Sequence, residues 1–125
     1  MSKAGSLIYV ADDDQSVLDL VAIVLTKSGF DVVGFVEAEA LVAALVRRAP
    51  AAVLLDVRMP GLSGLDALKA IKDIPGAAGV PVLMLTGDGR LDRIVQAMQL
   101  GAAGYVMKPF EAEQLVEQVR GLLAG

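Results

Sequence analysis

Five short apolar runs punctuate this chain: Leu7 to Ala11, Val32 to Val36, Ala51 to Leu55, Val80 to Leu85, and Tyr105 to Met107. Each is continuous rather than alternating, the pattern of strands covered on both faces. Helical patterns fill the intervals. The first covers residues 15 to 28, with an Asp cap before it and Gly29 as its stop. The second runs from about Ala38 to Ala49 before Pro50, and the third from about Gly64 to Ile74 before Pro75. A fourth, about Leu91 to Leu100, sets Leu91, Ile94, Val95 and Met98 on one stripe. The last starts near Glu111 and buries Leu115, Val119 and Leu122. Strict β-α alternation predicts a parallel sheet with helices on both faces, because right-handed crossovers are nearly obligatory. A length of 125 residues suits one domain, expected to span 1–125.

Composition removes whole classes of chemistry. There is no cysteine and no histidine, so disulfides, thiolate catalysis, Cys-based zinc sites and Ser-His triads are excluded. The net charge is -4, and the 11 Lys and Arg residues are scattered; no direct contact with nucleic acid and no polybasic membrane anchor is expected. The N-terminus offers only five apolar residues before three aspartates, too few for a signal peptide. The longest nearly apolar stretch, Val17 to Leu25, contains Asp19 and is under half a membrane span. A cytoplasmic protein that does not enter the membrane is the expectation.

In a parallel α/β sheet, functional groups gather beyond the carboxyl ends of the strands. Here the first strand ends in Asp12-Asp13-Asp14, the third in Asp56, the fourth in Thr86 and the fifth in Lys108. Two carboxylates about 4 Å apart repel by roughly 4 kcal/mol at an effective dielectric near 20. Convergent aspartates therefore need a cation or raised pKa values. Mg2+ suits one or two carboxylates plus phosphate oxygens, whereas Ca2+ wants more ligands, and its loop motif is absent. With Lys108 and Thr86 added, the set fits phosphoryl transfer to a carboxylate nucleophile.

Four runs carry a resemblance: Leu-Ile-Tyr-Val-Ala-Asp-Asp-Asp, Leu-Leu-Asp-Val-Arg-Met-Pro-Gly, Val-Leu-Met-Leu-Thr-Gly and Gly-Ala-Ala-Gly-Tyr-Val-Met-Lys-Pro-Phe. In order and spacing they resemble the receiver domains of two-component response regulators, over about Leu7 to Leu123. The resemblance implies a flavodoxin-like, doubly wound five-stranded parallel sheet of order 2-1-3-4-5. It implies Asp56 as phosphoacceptor, with Mg2+ held by Asp13, Asp56 and the backbone carbonyl of Arg58, and by Asp12 through a water. Thr86 and Tyr105 resemble the switch pair, Lys108 the phosphate-binding lysine, and the Lys108-Pro109 bond is expected to be cis. Arg58 and Asp88 stand where receivers tune hydrolysis, and an ion pair between them would slow water entry. The implied partners are a histidine kinase or histidine phosphotransfer protein, and a downstream protein or output domain. Signalling would pass through the surface of helix four, strand five and helix five. The chain is then a switch acting only on its own phosphoryl group, not an enzyme toward other substrates. Oligomeric state (a dimer among the options), the output pathway and membership of a longer protein stay open.

Each residue also has a plain reading. Asp14 is better explained as a helix cap than as a ligand. Tyr105 fits a half-buried core aromatic as well as a switch. Gly61, Gly64, Gly87 and Gly89 read as turn glycines, since no phosphate-loop motif surrounds them. The first helix is more apolar than one stripe requires, which fits either docking of a phosphodonor protein or packing against the last helix. A phosphorylation-independent binding module and an aspartate-nucleophile phosphatase are the rival functions. The second wants Asp-x-Asp, where this chain has Asp56-Val57-Arg58. A flavin carrier lacks its Ser/Thr-rich phosphate loop here.

Overall fold

Strands and helices alternate as β1 (Leu7–Ala11), α1 (Gln15–Lys27), β2 (Asp31–Phe35), α2 (Ala38–Arg47), β3 (Ala52–Asp56), α3 (Gly64–Lys72), β4 (Val82–Thr86), α4 (Leu91–Gln99), β5 (Gly104–Met107) and α5 (Ala112–Ala124). The computed structural model describes residues 6–58, 61–87 and 91–124, with Leu91 described by its backbone alone. All neighbouring strands pair in parallel, in the order β2-β1-β3-β4-β5. This is the doubly wound order expected from the resemblance. Winding reverses between β1 and β3, so a crevice opens beyond their carboxyl ends.

Strand alternation divides the apolar residues into two cores. Ile8, Val10, Ala52, Leu54, Leu83 and Leu85 face α1 and α5, packing with Leu18, Val21, Leu25, Leu115 and Val119. Their neighbours Tyr9, Ala11, Val53, Leu55, Val82 and Met84 face the other way, against α2 and α3 residues such as Leu41, Leu45, Leu68 and Ile71. β3 and β4 are buried at every position, as their continuous apolar runs predict.

β2 departs from that expectation. It has a partner on one side only, and no residue of Asp31–Phe35 is fully buried. The edge strand β5 is also partly open, with only Val106 buried. Continuous apolar sequence thus marks central strands correctly and overstates the cover of the edges.

Helix ends follow local chemistry. The Asp14 side chain accepts from the Ser16 amide at 2.9 Å, and Gly29 takes φ 95° just past α1. α2 stops at Arg47, two residues earlier than expected, because Arg48 is already extended ahead of Pro50 (φ -155°, ψ 122°). α3 ends at Lys72, where Asp73 and Ile74 donate to the carbonyls three residues back and Gly76 turns the chain at φ 84°. Val80 belongs to that turn rather than to β4, its amide bonded to the Ala77 carbonyl. Among the described residues, no helix is long and apolar enough to cross a membrane.

Candidate functional site

The crevice between β1 and β3 receives Asp12 from one strand end and Asp56 from the other. The backbone amide of Asp12 continues the β1–β2 ladder by donating to the Phe35 carbonyl at 3.0 Å. Its side chain is fully buried, and Oδ1 accepts from the Asp14 amide at 2.9 Å. Asp56 closes β3 with only 6% exposure, and its Oδ1 accepts from the Arg58 amide at 3.2 Å. Asp13 lies on the exposed rim. One carboxylate oxygen from each of Asp12, Asp13 and Asp56 falls within 4.8 Å of the others.

Lys108 reaches this cluster from β5, across the ends of β4 and β3. Its ammonium lies 2.6 Å from Asp12 Oδ2 and 3.3 Å from Asp56 Oδ2. Its backbone amide donates to the Thr86 carbonyl at 2.7 Å, and the Lys108-Pro109 bond that follows is cis. Thr86 itself is buried at the end of β4, beside Asp56 and one step beyond its register partner Leu85.

Charge and burial set the protonation behaviour. Burial, and then the charge of Asp12, push the Asp56 carboxyl above the ordinary range, with Lys108 and the Arg58 amide opposing. For Lys108, burial alone would lower the pKa, but the hydrogen bond to Asp12 and the charge of Asp56 hold it above its usual value. Asp14 goes the opposite way to Asp56: the Ser16 side-chain and backbone hydrogen bonds lower its pKa, as befits an exposed cap.

One ammonium offsets only one of three carboxylates. Two of these are buried, so the donor set still calls for a hard cation. The residues present therefore fit a divalent ion such as Mg2+.

Asp12, Asp13, Asp56 and Lys108 are thus brought together, and Thr86 stands next to them. Tyr105 is not part of the cluster: it is 42% exposed on β5 and lines an outer groove with Met98, Met107, Gln114 and Gln118. The Arg58 side chain is exposed. Asp88 and Gly89 lie outside the described residues, as does the expected Arg58-Asp88 pair. Gly64 is not a turn residue; it opens α3 and packs onto the backbone of Asp56 and Val57. Nothing in the local sequence separates that role from an ordinary loop glycine.

Residues 8–120 match the family model of the response regulator receiver domain. The chain belongs to the response regulator receiver family. Receivers are the signalling switches of two-component systems, which agrees with a phosphoacceptor site at the β1–β3 crevice. The response regulator protein TodT of Pseudomonas putida is 33% identical over 98% of this chain and 53% of its own length. This receiver therefore spans about half the length of the curated relatives it matches. Among solved structures, the receiver domain of NtrX from Brucella abortus superposes with a TM-score of 0.87 at 34% identity, covering 94% of this chain and 98% of that one. The chemotaxis protein CheY4 of Vibrio cholerae gives 0.91 at 25% identity, over 96% and 100% of the two chains.

Proposed function

We propose that Asp56 accepts a phosphoryl group from the phosphohistidine of a kinase or phosphotransfer protein, in a Mg2+-dependent reaction, and that the domain then signals to a partner. The observation that carries this reading is one ammonium shared by two buried carboxylates at the crevice, 2.6 Å from Asp12 and 3.3 Å from Asp56. An oxygen of the Asp56 carboxylate supplies the electron pair for the new O–P bond; the P–N bond breaks and its electrons stay on the donor imidazole. Lys108 opposes the rise that burial imposes on the Asp56 carboxyl and then faces the oxygens of the transferred group. Asp13, Asp56 and the Arg58 carbonyl would hold Mg2+, with Asp12 acting through a water. The bound ion supplies neutralisation of phosphoryl-oxygen charge.

Switching follows from Thr86. A hydrogen bond from its hydroxyl to the charged phosphoryl group contributes roughly 1.5–3 kcal/mol. That shifts a two-state equilibrium about tenfold to a hundredfold. Movement of Thr86 leaves room for the exposed Tyr105 ring to turn inward, which reshapes the α4–β5–α5 surface. The phosphodonor docks on α1, where Leu20 and Ile23 are exposed beside a groove shared with Val116, Glu117 and Arg120 of α5. Residues 1–125 are read as one such receiver, and Arg58 with Asp88 as the pair that tunes its dephosphorylation.

Incubation with phosphoramidate and Mg2+, followed by intact-protein mass spectrometry, tests the assignment. The wild type gains one phosphoryl group, and Asp56→Ala gains none. Labelling of that variant, or labelling that ignores Mg2+, overturns the assignment, and a wild type that gains no phosphoryl group favours a phosphorylation-independent module. In the same assay Thr86→Ala and Ile23→Glu remain labelled. Thr86→Ala then loses the difference in partner binding between labelled and unlabelled chains, and Ile23→Glu accepts more slowly from a phosphohistidine protein; unchanged behaviour rejects the corresponding role.

A further inference from the structure

Gly64 lies so close to the end of β3 that no side chain fits there. A β-carbon at this position would sit 2.0 Å from the Asp56 carbonyl oxygen, 2.8 Å from its carbonyl carbon and 2.9 Å from the Val57 Cα. All three are backbone atoms, so a rotamer change gives no relief. Conformation does not require the glycine either. Positive φ belongs to Gly29, Gly61, Gly76 and Gly101, not to Gly64. Glycine is a poorer helix former than alanine, so only the close approach recommends it at the start of α3.

The same approach closes a loop. The Gly64 amide donates to the Val57 carbonyl at 3.1 Å, and the Val57 amide donates to Leu85 in β4 at 2.9 Å. The chain leaving Asp56 thus returns onto its own origin. Between those points stands Arg58, whose amide bonds the Asp56 carboxylate. The depth at which α3 seats on Asp56 and Val57 fixes the backbone that carries the acid and its nearest amide donor.

We propose that Gly64 is a positioning residue of the acid cluster. Its missing side chain lets α3 close onto β3, and that closure aims the Asp56 carboxylate and the residue 57–58 backbone at the cation. The inference rests on the reading of Asp12, Asp13 and Asp56 as a Mg2+-dependent phosphoacceptor site.

Calorimetric titration of the full chain with Mg2+ tests it, on wild type, Gly64→Ala and Leu45→Ala, the last a core variant in α2 remote from the crevice. Gly64→Ala is expected to keep its circular dichroism and bind Mg2+ about tenfold to a hundredfold more weakly, the range seen when groups that orient metal ligands are lost. Leu45→Ala loses stability but keeps wild-type affinity. Coupling is reciprocal, so saturating Mg2+ must slow hydrogen exchange at the Gly64 amide of the wild type more than at the Ala77 amide. That measurement holds even where Gly64→Ala fails to fold. Equal Mg2+ affinity in Gly64→Ala and wild type, or a Gly64 amide indifferent to Mg2+ that the wild type binds, overturns the proposal. A wild type that binds no Mg2+ overturns the site reading itself, and this inference with it.

Discussion

β2 and β3 are both five-residue strands built largely from apolar residues, yet β3 is buried throughout and β2 nowhere completely. The cause is position. β3 has β1 and β4 beside it, whereas β1 is the one strand that pairs with β2. The compositions hint at this: β2 opens on Asp31 and carries Gly34 within it, while β3 is unbroken until Asp56. The contrast also separates two uses of burial. In β3 it stabilises the fold up to Leu55 and then, one residue later, strains the ionisation of the residue that ends the strand.

Three substitutions test the contrast, in falling order of effect. Leu54→Ala removes a fully buried side chain from the α1/α5 core and should cost about 2–5 kcal/mol in urea unfolding. A loss typical of a surface site would mean that β3 is less enclosed than described. Asp56→Asn comes next. Because the folded-state pKa of Asp56 is raised, its stabilising contribution is complete only below the unfolded value and is lost as pH rises through the folded one. In metal-free buffer at neutral pH the Asn variant should therefore melt higher than wild type. The gap should narrow as the pH falls through the Asp56 folded-state pKa. A variant that melts lower at neutral pH would show that the Lys108 contact outweighs burial. Val33→Thr, at an exposed position of β2, should change stability by no more than about 0.5 kcal/mol; a core-sized loss would place β2 under cover that the fold does not show.

Much of this was legible in the linear order of residues. The apolar runs, their alternation with helices and the polar residue at each strand end are local signals, and together they brought Asp12, Asp56, Thr86 and Lys108 to one crevice. What was not legible depends on distant neighbours. β2's exposure follows from its place in the sheet, at which Asp31 and Gly34 only hint. Gly64 looks like any loop glycine until the strand it touches is known. Tyr105 carries the same letters whether its ring faces solvent or core. The early ends of α2 and α3 reflect how the chain unwinds before Pro50 and Pro75, a matter of one or two residues beyond the reach of periodicity.

Lys108 has a consequence for the charge of the site. Its ammonium bridges Asp12 and Asp56, and a buried acid left without its counter-charge is strongly destabilising. Without the lysine, the two buried aspartates would have to be neutralised by a proton or by a metal ion.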